Sequence, residues 1–307
     1  MHSVILPNGL KIYASSKFEA QVLYQEIFTE KTYSSHGIKI SDGDCIFDIG
    51  ANIGLYSIFL TQNHHDLKIF AFEPIPQTYS ILEKNVERDQ SSSQVKLFNF
   101  GLSRKSGSSQ FEFDRFASFT ATMRPEEVNA CVRKDAGMYD WVRAGISDLQ
   151  KASFLSRRSS DRLLAALPRP IVGKIVVILM FALLLLTVLR KKIFLKKIEC
   201  GLKTITEVMR DHNIDSVALM KIDVEGSELE VIEGIADEDW PRIRQCVVEV
   251  HDFDGRVEKL RSIFEKRGYR TVVDQEEWCI HKLINAFTIY AVRSRGYEEQ
   301  GCKYDEN

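Results

Sequence analysis

Asp48, Gly50, Asn52 and Gly54 occupy alternate positions in the run Cys45–Gly54, CIFDIGANIG. Apolar residues Cys45–Phe47 precede them and a helical run, Leu55–Leu60, follows. An apolar strand, a glycine turn and a helix open a Rossmann-like βαβ unit, where ligands meet the turn. Glycine lets a ligand approach the backbone because it has no Cβ. The spacing is DxGxNxG rather than the GxGxxG of a dinucleotide loop. A carboxylate at the entrance repels a pyrophosphate but suits a ligand that carries an ammonium and a sulfonium. S-adenosylmethionine (SAM) is that ligand. A second acid, Glu73, ends the apolar run Leu67–Phe72, 25 residues after Asp48, and Pro74 follows it. An acid at the tip of the second strand accepts both ribose hydroxyls of a nucleoside. A nicotinamide-dependent oxidoreductase is the rival reading, and the leading acid and missing GxGxxG speak against it.

The second half offers Asp223, Glu225 and His251. Methyl transfer to an alcohol is an in-line displacement that aligns an oxygen nucleophile and excludes water. His251, closing the apolar run Cys246–Val250, is the candidate general base. Asp223 and Glu225 follow the run Val217–Ile222. They are candidates to orient His251 or to bind the ammonium of the methyl donor. The alternative is that they serve the start of the next helix with Ser227. We assign Asp223 with His251 to the catalytic side. Glu225 joins Asp48, Gly50, Asn52, Gly54 and Glu73 on the cofactor side. A divalent ion bridging Asp223 and His251 or Asp252 has no diagnostic spacing, so no metal is expected. Lys221, inside an apolar run, either faces the helical layer or pairs with an acid. His2, His36, His64, His65, His212 and His281 show no ligand spacing and read as surface residues.

These residues need a scaffold. Strand, helix and strand signals alternate through Cys45–Phe47, Leu55–Gln62, Leu67–Phe72, Thr78–Arg88 and Val95–Phe100. Phe111–Phe113 reads as one arm of a hairpin. The alternation resumes at Ile205–His212, Val217–Ile222, Glu228–Gly234, Cys246–Val250, Arg256–Arg267, Tyr269–Val273 and Phe287–Val292. This predicts an α/β, Rossmann-like fold with a mostly parallel sheet and helices on both faces. Ligands in such sheets sit at the carboxyl ends of the strands, where Asp48, Glu73, Asp223, Glu225 and His251 all fall. Upstream, Pro7-Asn8-Gly9 reads as a hairpin turn, and Glu19–Tyr33 places Val22, Leu23, Ile27 and Phe28 on one helical face.

The chain resembles the FkbM family of SAM-dependent methyltransferases, mostly O-methyltransferases. The resemblance rests on FDIGANIG at Phe47–Gly54, FEPIP at Phe72–Pro76, LMKIDVEGSELEVIEG at Leu219–Gly234 and VVEVHD at Val247–Asp252. It covers most of the chain outside an insertion. It implies a seven-stranded class I methyltransferase fold, with Asp48, Gly50, Asn52 and Gly54 as the SAM loop and Glu73 as the ribose acid. The segment EAQVLYQEIF, Glu19–Phe28, looks like the N-terminal helix of members that act with polyketide or peptide synthases. No single base carries over, and family acceptors are diverse. The expected reaction is O-methylation of a hydroxyl on a small or lipid- or polyketide-like acceptor. A membrane-associated, non-catalytic SAM-binding protein is a further alternative.

The segments expected are a hairpin and helix (1–44), a SAM-binding half (45–125), a basic and apolar insertion (126–200), a second half (201–296) and a polar tail (297–307). The formal net charge is −2, so nothing draws the whole chain to nucleic acid. Charge is uneven, however. Arg157–Lys197 holds ten basic residues and one acid, Asp161; removing that +9 from −2 leaves −11 elsewhere. Within it, Ile175–Leu189 is an apolar run broken only by Thr187. As a helix, its fifteen residues reach about 22 Å, short of a bilayer core of about 30 Å. Extending it to Ile171 gives nineteen residues, enough for hydropathy to flag a transmembrane helix. Topology opposes a span, because the strands before and after it share one sheet. We expect an apolar lid that touches lipid or a lipid-like substrate; a buried cap helix, a membrane-dipping anchor on anionic lipid and an insert without a role are the alternatives. Six cysteines without CxxC spacing, and no signal-peptide pattern at the N-terminus, predict a reduced, cytoplasmic protein, with membrane association through 171–189 as an option. Oligomeric state is not legible.

Overall fold

In a computed structural model, residues 1–89, 93–114, 138–151, 155–167, 195–275 and 285–293 are described. The chain opens with an antiparallel hairpin, β1 (His2–Ile5) and β2 (Lys11–Ala14), turned at Gly9 with φ +86°. Ser16 caps α1 (Lys17–Tyr24), its hydroxyl accepting from the Glu19 amide at 3.1 Å while Glu19 accepts from the Ser15 amide at 2.8 Å. The apolar face continues past Tyr24, but the geometry does not. Gln25–Glu30 widens into a π turn, Lys31 reverses the chain at φ +54°, and Thr32–Ser34 forms a 3-10 turn. Side-chain periodicity alone does not distinguish this path from one continuous helix over Glu19–Tyr33.

The main sheet contains β3 (Cys45–Ile49), β4 (Lys68–Phe72), β5 (Gln94–Phe98), β9 (Leu219–Ile222), β10 (Gln245–His251), β11 (Tyr269–Asp274) and β12 (Ala286–Arg293). Its seven strands run in the order β11-β12-β10-β9-β3-β4-β5, all parallel except β12, which is antiparallel to β10 and β11. Alternate residues of the central strands face opposite layers, as a two-residue period requires. Ile46, Leu219 and Val247 pack with α2 (Leu55–Asn63), α3 (Pro76–Arg88) and the β1–β2 hairpin. Phe47, Met220 and Val248 pack with α6 (Ile205–Asp211), α7 (Glu228–Glu233) and α8 (Arg256–Lys266) on the other side. The expected α/β fold with helices on both faces is what forms. Sequence order reverses between β3 and β9, which opens the crevice where such sheets bind ligands.

A second sheet, β6-β8-β7, joins β6 (Gly101–Leu102), β7 (Gly107–Asp114) and β8 (Leu195–Lys203). The partner of β7 lies beyond the insertion, with Asp114 opposite Leu195. Lys196 and Lys197, grouped with the insertion on charge, therefore belong to β8, and Lys197 sits 3.7 Å from Glu112 on β7. Between the arms, α4 (Met138–Lys151) and α5 (Arg157–Ala166) pack together through Val142, Ile146 and Leu167. Among the described residues no helix is long and apolar enough to cross a membrane. The run 171–189 lies outside the described residues, so the expected apolar helix is not shown. The tail from residue 297 and Cys131, Cys279 and Cys302 lie outside them too. Cys45, Cys200 and Cys246 are free thiols.

Candidate active site

The loop after β3 is shaped by close backbone contacts. Gly50 has φ +75°, and a Cβ there would lie 1.8 Å from the Asp223 carbonyl oxygen. Only glycine lets the ends of β3 and β9 approach this closely. At Gly54, φ +87°, a Cβ would meet Leu82 of α3 at 2.6 Å. These glycines thus serve strand–strand and helix–helix packing as well as access to the cleft. The amides of Gly50 and Ala51 both donate to the Phe72 carbonyl, at 3.0 and 2.9 Å. Asn52, at φ +49°, turns its amide to Glu73 Oε2 at 3.1 Å.

Glu73 stands just past the tip of β4, 7% exposed. Its other oxygen accepts from the Ile75 amide at 2.8 Å. Burial pushes its carboxyl up to about 7, against the pull of the Ile75 and Asn52 amides and of Lys221. Glu73 therefore changes charge near neutrality.

Asp48 is fully buried beneath the loop. The Ser57 hydroxyl donates to its Oδ2 at 2.7 Å, and Lys221 Nζ lies 3.5 Å from its Oδ1. Its charge reaches the cleft through Lys221 and through space rather than from an exposed oxygen. Lys221 is the centre of this side. Its ammonium donates to the Gly50 carbonyl at 2.8 Å, lies 3.3 Å from Asp223 Oδ2 and sits 5.1 Å from the centre of the Tyr33 ring. Burial alone would lower its pKa, but Asp223, Asp48 and Glu26 hold it above the usual lysine range. The side chain of Asp223 keeps 25% of its surface exposed.

Glu225 and His251 come together, with His251 Nε2 3.5 Å from Glu225 Oε2. His251 ends β10 and is 3% exposed. Glu225 is held at φ +53° on a turn built from below. There, Glu228 accepts from the Gly226 amide at 2.6 Å, and Arg256 donates to the Gly226 carbonyl while lying 3.6 Å from Glu228. Burial pushes Glu228 up to about 7. α7 starts at Glu228 with Ser227 as its N-cap residue, so neither Asp223 nor Glu225 occupies that capping position. Asp252 accepts from the Val257 amide at 3.1 Å. No three His, Cys, Asp or Glu side chains among the described residues are grouped to hold a metal.

The structure thus brings Glu225, not Asp223, to His251, and ties Asp223 to Lys221 and Tyr33. Of the two readings the sequence left for Lys221, the structure takes the pairing with acids, Asp48 opposite it in the β3–β9 register and Asp223. Sequence reasoning missed Tyr33, Glu26 and Glu249, for which no local signal exists. A groove of about 440 Å³ at the start of α3, walled by Pro76, Ile81 and Phe113, is lined by none of the candidate residues.

This arrangement falls inside a stretch, residues 48–271, that matches the model of the methyltransferase FkbM domain. The chain belongs to the FkbM methyltransferase family. It is 31% identical over 271 residues to 31-O-demethyl-FK506 methyltransferase FkbM of Streptomyces tacrolimicus, covering 88% of this chain and 90% of that one. It is 28% identical over 283 residues to methyltransferase sdnD of Sordaria araneosa, covering 90% and 92%. Among solved structures, a precorrin-6y C5,15-methyltransferase of Geobacter metallireducens aligns over 90% of this chain and 87% of its own, at 12% identity and a TM-score of 0.34. Membership of the FkbM methyltransferase family implies SAM as the methyl donor.

Proposed function

We propose that the protein methylates a hydroxyl of a small acceptor of polyketide-like or lipid-like character. The reading is carried by one observation: two acids of different kind flank the Gly50 loop across the crevice. Glu73, at the β4 side, suits the ribose hydroxyls. Asp223, at the β9 side, suits an ammonium. Strands β4 and β9 stand two spacings apart, about 10 Å. The ribose and four-carbon tail of SAM bridge such a gap. The donor set therefore fits SAM, which when bound supplies an electrophilic methyl group on its sulfonium.

The residues of this chain do the rest. Gly50 and Ala51 keep the loop against the end of β4. Lys221 balances Asp48 and Asp223, so the cleft is acidic without being repelled by its own charges. His251 takes the acceptor proton at a ring nitrogen, and Glu225 steadies the resulting imidazolium. Because His251 is buried, this role requires that the acceptor reach its ring on binding. The name of the Streptomyces tacrolimicus relative, which specifies O-demethylated FK506, supports an oxygen acceptor of polyketide type.

Transfer of a labelled methyl group from SAM into a panel of hydroxylated polyketides, sugars and lipids tests the reading. Label is expected in an oxygen-linked methyl of an apolar acceptor. Label on nitrogen or carbon alone, with hydroxylated acceptors inert, would contradict it.

A further inference from the structure

One wall of the cleft comes from outside the matched domain. The family match begins at residue 48, yet Glu26 and Tyr33 reach the strand ends from the segment before it. Tyr33 is 2% exposed. Its ring packs edge-to-face on Tyr56 at 5.1 Å and covers the Lys221 ammonium. The next residue back is anchored too, since Tyr290 donates its hydroxyl to the Thr32 carbonyl at 2.8 Å. Tyr33 is therefore placed by the core and not by the loop alone.

The Tyr33 hydroxyl meets three carboxylates. It donates to Glu26 Oε1, and lies 3.2 Å from Asp223 Oδ2 and 3.4 Å from Glu249 Oε2. A phenol has one proton to give, so these acids compete for it. Lys221 also approaches Asp223 at Oδ2. Among the described residues both polar contacts of the Asp223 side chain fall on that oxygen, while the side chain stays partly exposed. The two contacts fix the carboxylate and leave Oδ1 as the oxygen that a ligand meets. An ammonium brings three donors, which relieves the competition around the phenol.

We propose that Tyr33 is a positioning residue for the methyl donor: it orients Asp223 toward the ammonium of the donor's amino-acid tail. The inference rests on the donor reading given above. It makes the segment before residue 48 part of the cofactor site, so that donor affinity depends on a residue outside the DxGxNxG loop.

Calorimetric titration of the full chain with S-adenosylhomocysteine and with 5′-methylthioadenosine separates the possibilities, because only the first carries the amino-acid tail. Tyr33→Phe keeps the ring and loses the hydroxyl. It should weaken S-adenosylhomocysteine about tenfold and leave methylthioadenosine unchanged. Asp223→Asn should show the same selectivity, and the double variant should be no weaker than Asp223→Asn alone, since both changes act through one contact. Equal losses on the two ligands, or additive losses in the double variant, would overturn the inference while leaving the donor reading intact. If Tyr33→Phe did not fold, Asp223→Asn on the same two ligands would decide, with an equal loss on both counting against the inference. Wild-type protein that bound neither ligand would instead overturn the donor reading.

Discussion

Asp48 and Glu73 close neighbouring parallel strands, and the protein holds them by opposite means. Asp48 is wholly buried against a lysine ammonium and a serine hydroxyl. Glu73, almost as buried, is held by two backbone amides. Charge meets charge on the β3–β9 side; dipoles meet charge on the β4 side. Amide dipoles only partly offset the loss of water, so Glu73 is pushed up to about 7. The β3–β9 side of the cleft is thus a cluster of opposed charges, and the β4 side carries a carboxyl pushed up to about 7.

The largest effect is expected from removing the cation. Lys221→Met strands Asp48 in the interior beside Asp223, and breaking a buried pair in this way costs about 3–5 kcal/mol. Chemical denaturation should show that loss, whereas Glu73→Gln keeps an acceptor for one of the two amides and turns its NH2 toward the other, which should cost less, about 1–3 kcal/mol. Similar midpoints for the two variants would erase the contrast between the two sides.

His251→Ala should lower turnover by about two orders of magnitude while donor affinity stays within twofold of wild type, because a general base contributes on that scale. Steady-state rates beside calorimetry check this. Normal turnover would remove His251 from the chemistry. A smaller effect is expected from Asp48→Ala and Glu73→Ala, each weakening SAM by at least about tenfold, or 1.4 kcal/mol. The two losses should differ in origin, with Asp48→Ala also lowering stability because Lys221 loses one of its balancing carboxylates.

The smallest effect is one of pH. A carboxyl whose folded pKa lies above its unfolded value, as for Glu73 and Glu228, binds its proton more tightly in the folded state. Its contribution to stability is therefore greatest at low pH and declines from about pH 4.5 until the pH passes about 7. Donor binding to ionised Glu73 runs the other way, so SAM affinity should rise as pH is raised through about 7 and then level off. Glu73→Gln should flatten the affinity profile and reduce the decline in stability, leaving the share due to Glu228.

What could be read in the sequence was local. Asp48 to Gly54 and Glu73 lie within one strand–turn–helix–strand unit, where spacing along the chain fixes spacing in space. The apolar alternation of Ile46 and Phe47, or of Leu219 and Met220, likewise declares two buried faces. The pairing of Lys221 with Asp48 was harder, because it depends on β9 lying beside β3 in a register set by the whole sheet. Tyr33 was beyond reach. Its position depends on the π turn after α1 and on the reversal at Lys31, both of which leave the apolar pattern of a helix intact. The β7–β8 pairing was hidden for a similar reason: its arms are separated by the whole insertion, and hairpin signals operate over a few residues. His251 was picked by type and place, and of the two acids offered to orient it the structure brings Glu225 to its ring, on a left-handed turn stabilised by Glu228 and Arg256.

Calorimetric titration of the folded wild-type chain with SAM, repeated with Glu73→Ala, tests the central claim most directly. Saturable binding at one site per chain, weakened at least about tenfold in the variant, is the predicted result. A folded wild-type protein that takes up no SAM, or one whose SAM affinity is untouched by loss of Glu73, would contradict it.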